Sequence, residues 1–276
     1  MKLRTTTSAV IAIAGLLTAM PALAHEMFLK AKEYMVAPAS DQVVRLINGT
    51  FDKSENSISR DRMADVSIAG NDDMTSPPED AWYDDSNSSY LRYRTGESGT
   101  YVIGVSTHPS MIELSRDDFI AYLRHDGILD TLATFENDNE LSEVRERYSK
   151  HVRAVVQVGA ERSADYSKPL GYPVEILLEQ NPYDLKLGDE LSFRVLFNGE
   201  PAANQIVRAS YEGFHGHDAA DHHANAYNLR TDEDGRARFL LNNAAVWYVA
   251  LIHMEKIDDG EADYESSWAT VTFHVK

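Results

Sequence analysis

Trp247-Tyr248-Val249-Ala250-Leu251-Ile252-His253-Met254 reads as a β-strand, with Trp247, Val249, Leu251 and His253 alternating onto one face. Six further runs of the same kind surround it: Glu175 to Leu178, Glu190 to Phe197, Gln205 to Tyr211, Ala226 to Arg230, Arg236 to Leu241 and Ser267 to Val275. Turn signals separate them, among them Asn181-Pro182, Asn198-Gly199, Asp234-Gly235 and Asp259-Gly260. Seven short strands in about 100 residues is the pattern of an immunoglobulin-like β-sandwich. The disulfide that some such domains carry is excluded, because the chain has no Cys.

Upstream, Tyr166 to Pro173 holds two prolines and Gly171 and is the best candidate linker, so residues 171–276 form the expected second domain. Residues 25–170 form the first. Its Phe28 to Val36, Gln42 to Ile47 and Val66 to Ile68 segments read as strands, and Tyr90 to Arg94 with Tyr101 to Ser106 reads as a hairpin about the Gly96 to Gly99 turn. A short helical insertion near 115–150 closes this domain. Ser115 with Asp118 is a capping box for one helix that ends at Gly127, and Leu141 to Lys150 is a second helix supported by Glu143–Arg147 and Glu146–Lys150 pairs. His151 to Val158 then resumes as a strand with Val152, Ala154, Val156 and Val158 on one face. The fold class expected is mainly β, two β-sandwich domains.

Residues 1–24 read as a cleavable signal peptide. Lys2 and Arg4 form the basic head, Ser8 to Met20 is an uncharged apolar run short of the roughly 20 residues a bilayer needs, and Ala22-Leu23-Ala24 is a cleavage site. The mature chain then starts at His25 and is placed in the periplasm, without a membrane anchor. Cleavage takes the formal charge from −18 to −20, which disfavours nucleic acid as a partner and favours cations.

Metal chemistry is the strongest functional signal. A terminal His25 carries an α-amine and an imidazole on one residue, two nitrogen donors that can chelate one ion. A second cluster, His215, His217, Asp218, Asp221, His222 and His223, puts four of the ten histidines within nine residues of an expected inter-strand loop. His253 is a further candidate at the end of its apolar face. No thiolate is present, so the ion implied is Ni, Co, Cu or Zn held by imidazole and carboxylate. No G-x-S-x-G, P-loop, G-x-G-x-x-G or H-E-x-x-H motif occurs.

Several segments resemble one exported bacterial family, catalogued as domain of unknown function 4198. They are His25-x-x-Phe28-Leu29, Leu46-Ile47-Asn48-Gly49-Thr50-Phe51, Arg145 to Lys150, Asn181-Pro182-Tyr183 with Gly188-Asp189, Thr231-Asp232-x-Asp234-Gly235, Trp247 with His253, and Glu265-Ser266-x-Trp268-Ala269-Thr270. The resemblance covers essentially the whole mature chain. It implies a periplasmic component of cobalt or nickel uptake, with a C-terminal part similar to carboxypeptidase-regulatory-like sandwiches. The nickel-binding terminus with His as third residue has Met27 in that place here, and a His-first terminus looks more like copper proteins.

The expected function is therefore a soluble periplasmic metal-binding protein that aids uptake or handling of Ni, Co, Cu or Zn, with a metal transporter of the envelope as partner. Two alternatives stand beside it. One is a protein- or glycan-binding sandwich in which the histidines are incidental; the other is a copper monooxygenase-like enzyme built on His25.

Overall fold

The computed structural model of the chain describes residues 25–138, 140–217 and 223–276. All seven C-terminal strands form, as Val174–Leu178, Glu190–Phe197, Ile206–Tyr211, Tyr227–Arg230, Arg236–Leu240, Val246–Lys256 and Tyr264–His274. The first, second and fifth pair in one sheet; the fourth, third, sixth and seventh lie side by side in the other, which is an immunoglobulin-like arrangement. Alternation sends Ile176, Phe193, Val249, Phe273 and Trp247 inward from both sheets into one core. At Asn198-Gly199 both φ angles are positive, 50° and 83°, as a tight hairpin turn requires.

In the N-terminal half, Met27–Ala31, Asp41–Asn48, Ser88–Arg94 and Trp82–Asp85 make a four-stranded sheet in that order. It packs through Leu29, Val44 and Leu91 onto Ile103, Val105 and Val156 of the facing layer. The expected hairpin about Gly96 is corrected. Ser88–Arg94 pairs with Asp41–Asn48 and Trp82–Asp85, whereas Gly99–Thr107 pairs with Met63–Gly70 and Glu143–Val158 in the other sheet. The turn carries the chain between layers, because each strand has an apolar face that only a facing sheet can bury.

The second expected helix is also corrected. Glu143–Val158 is a single strand of 16 residues, and one edge of its first half pairs with Ser110–Ser115 while the other pairs in parallel with Tyr264–His274. The charges that suggested helical pairs instead split by parity. Arg145 and Arg147 reach Asp263 and Glu265, each at 2.9 Å, while Glu146 and Lys150 turn inward. Two helices do form, α1 (Arg116–His125) and α2 (Leu129–Phe135). Ser115 caps α1 by accepting the Asp118 N–H at 3.2 Å. Phe119, Leu123 and Phe135 then pack on Val144, Ile252, Tyr264 and Trp268 of the sheet.

The parallel pairing of Glu146–Ala154 with Tyr264–Thr272, nine registered pairs, joins the two halves. One ten-stranded sheet serves both sandwiches. The proline-containing segment between them is strapped down rather than loose. Leu170 and Gly171 donate their N–H groups to the Glu175 carboxylate, which also accepts from the buried Arg153 guanidinium, and the Tyr172 hydroxyl donates to Asp65 at 2.6 Å. Among the described residues, no helix is long and apolar enough to cross a membrane.

Candidate functional site

His25 stands just ahead of the strand Met27–Ala31, whose first residue registers with Asn48 at the end of its neighbour. Beyond Asn48 the chain folds straight back. Gly49 N–H donates to the Glu26 carbonyl at 2.8 Å, Asn48 N–H to Ser54 Oγ at 3.0 Å, and Glu55 N–H to the Asn48 carbonyl at 2.9 Å. A Cβ on Gly49 would lie 2.3 Å from the Lys53 carbonyl oxygen, so this reversal needs glycine. The result is that Glu55 Oε2 meets His25 Nε2 at 3.0 Å, with the two side chains 32% and 47% exposed. One nitrogen and one oxygen donor thus face each other at the surface.

A buried set of charged groups lies beneath. Lys150, 5% exposed, donates its ammonium to the His25 carbonyl and to Asn48 Oδ1, and burial pulls its pKa down to about 8. Glu26 accepts from the Arg208 guanidinium, and burial pushes its carboxyl above the usual range. Glu146, fully buried, accepts from the hydroxyls of Tyr122, at 3.0 Å, and Ser266; burial raises its pKa to about 7. Trp268 Nε1–H donates to Ser266 Oγ at 3.1 Å. Sequence reasoning missed this group. The available signal was parity, since Glu146 and Lys150 share it with Val152, Ala154, Val156 and Val158, the face already read as inward.

Of the histidine cluster, His217 and His223 fall on a two-stranded ribbon, Gly216–His217 with His223–Ala224, in which they are registered opposite each other. His215 is exposed just before it. Asp218, Asp221 and His222 lie outside the described residues. The base of the ribbon is anchored by Tyr248, whose hydroxyl donates to Asn225 Oδ1 at 3.2 Å. The ring of the same tyrosine packs on Phe28 and Phe51, with centroids 5.1 and 4.6 Å away. Tyr248 therefore touches the segment that follows His25, the loop that carries Glu55, and the root of the ribbon.

His253 sits in the packing of the C-terminal sandwich. Its ring lies over Phe197 at 4.0 Å, its Nδ1 is 2.9 Å from Gln205 Oε1, and burial lowers its pKa. Among the described residues, no three or more His, Asp or Glu side chains are gathered in a group that could hold a metal ion.

No curated protein matches the chain. Among solved structures, the D0-D1 domain of Intimin is 10% identical with a TM-score of 0.21, over 91% of this chain and 98% of that one. A two fibronectin type-III domain segment from chicken tenascin is 11% identical with a TM-score of 0.22, over 90% and 97%. Salmonella alpha-2-macroglobulin reacted with methylamine is 11% identical with a TM-score of 0.24, over 91% of this chain and 15% of that one. At the level of sequence, residues 22–255 match the profile of the family described as Domain of unknown function (DUF4198), and the chain belongs to that family.

Proposed function

We propose that this protein is exported to the periplasm, trimmed to begin at His25, and binds one divalent transition-metal ion, Ni, Co, Cu or Zn, for uptake or handling with an envelope transporter. The ion is held by the His25 amine and imidazole and by the Glu55 carboxylate, with His217 and His223 of the ribbon as the further donors. Trimming supplies what the precursor lacks, because an α-amine becomes a ligand only once the preceding peptide bond is cut.

The observation that carries this reading is the common anchor at Tyr248. One side chain holds both histidine-bearing segments, through its ring on Phe28 and Phe51 and through its hydroxyl on Asn225. His25 follows this geometry at three residues from Phe28, and His223 at two from Asn225. His217 and His223 are registered opposite each other on the ribbon.

The test is calorimetric titration of Ni, Co, Cu and Zn salts into untagged chain starting at His25. One ion is expected per chain. Binding should weaken by about tenfold or more in His25→Ala and also when one alanine precedes His25, which keeps the imidazole but removes the terminal amine. No binding of these ions, or undiminished binding in both variants, overturns the reading.

A further inference from the structure

The turn between α1 and α2 faces the strands Ile206–Tyr211 and Val246–Lys256 across a cavity of about 110 Å³, lined by Asp126, Gln205, Arg208 and His253 among others. Two buried polar atoms of these residues have no hydrogen-bond partner among the described residues, Asp126 Oδ2 and His253 Nε2. Asp126 is 9% exposed, and its other carboxylate oxygen is 2.9 Å from His125 Nδ1. An unpartnered carboxylate oxygen at that depth costs more than most single hydrogen bonds contribute.

The neighbours of His253 fix its tautomer. Gln205 Nε2 donates to the carbonyls of Ile206 and Ile252, at 3.2 and 3.1 Å, which turns Gln205 Oε1 toward His253 Nδ1. An amide oxygen only accepts, so Nδ1 carries the proton and Nε2 is a bare lone pair. Burial favours the neutral ring. Glu255 Oε1, 3.5 Å from Nε2, is another acceptor. Arg208, the cation in the wall, is already engaged, donating to the Asp126 carbonyl at 2.6 Å and to Glu26.

The walls thus present acceptors that lack donors, one of them anionic. The volume exceeds that of an ion or single water, which by the same measure needs about 10–15 Å³. We propose that this cavity binds a small protonated amine, its ammonium donating to Asp126 Oδ2 and a second N–H or O–H of the same molecule donating to His253 Nε2. The site is independent of the metal reading and uses none of its ligands.

The experiment follows the His253 ring nitrogens by ¹⁵N NMR in the full mature chain while ethanolammonium chloride is added, with ethylene glycol and sodium acetate as neutral and anionic controls. Ethanolammonium is expected to shift Nε2 toward the hydrogen-bonded position, saturably, with glycol about tenfold weaker or more and acetate without effect. Asp126→Asn should weaken ethanolammonium by about tenfold or more. No saturable shift means a cavity that holds water alone and overturns the proposal. Equal binding of glycol, or a folded Asp126→Asn variant that binds as before, overturns it as well. Should that variant not fold, the comparison of ethanolammonium with glycol on the native chain decides the matter.

Discussion

Glu146 and His151 sit on one strand, are both buried, and bias stability in opposite directions. The Glu146 carboxyl is raised from 4.5 to about 7, so between those values the folded chain holds a proton the unfolded chain has lost, and stability falls as pH rises. His151 is lowered by burial from 6.5 to about 4; there the unfolded chain holds the extra proton, and stability rises with pH. Each effect is on the order of 3 kcal/mol over its window and the two offset one another from about pH 4.5 to 6.5. Glu146→Gln should therefore remove one falling contribution, so that urea midpoints rise more steeply between pH 4 and 6.5 than in the unsubstituted chain. A second residue-scale expectation concerns Gly49→Ala. The Cβ placed 2.3 Å from the Lys53 carbonyl oxygen forces the reversal open, which should cost about 1–3 kcal/mol in urea unfolding and separate Glu55 from His25, weakening metal titration in step. Asn48-Gly49 is a turn signal in the sequence itself. That it delivers a carboxylate to His25 is not legible there, because the sequence pattern does not specify which side chain a turn brings back.

Among the elements, the long strand Glu143–Val158 bears two arginines whose losses should differ sharply. Arg147 meets Asp259 and Glu265 at the surface, and Arg147→Ala should cost less than about 1 kcal/mol. Arg153 is 1% exposed and bound to the equally buried Glu175. Arg153→Ala leaves that carboxylate buried without its cation and should cost about 3–5 kcal/mol in the same unfolding assay. This strand is also where local reading failed. Glu143, Glu146, Arg147 and Lys150 fit helical i,i+4 spacing, yet their alternation fits a strand equally well, and the neighbours that settle the choice are distant in sequence. By contrast, the seven C-terminal strands were legible because each carries its own alternation and its own turn residues. Ser115 as a helix cap was legible for the same reason.

For the molecule as a whole, the shared ten-stranded sheet predicts one cooperative unfolding transition rather than two. Calorimetry of residues 25–276 should give a single peak, with van't Hoff and calorimetric enthalpies in agreement. Expressed separately, residues 25–170 and 171–276 should each fail to give a folded monomer, since each exposes a long strand edge and the apolar surface it covered. Two sandwiches could be counted from the sequence. Their fusion could not, because the pairing of Glu146 with Tyr264 joins strands that no turn connects and that carry no shared local pattern.

The strand Tyr264–His274 lies in the interior of that sheet, between Val246–Lys256 and Glu143–Val158. The largest layer therefore cannot close on a growing chain until residues 264–274 are free to insert between two strands that lie far apart in sequence. The same placement makes the fold intolerant of any truncation ahead of Tyr264. Removal of residues 264–274 would leave two long edges side by side with nothing between them, a product fated for proteolysis or aggregation rather than for reduced activity.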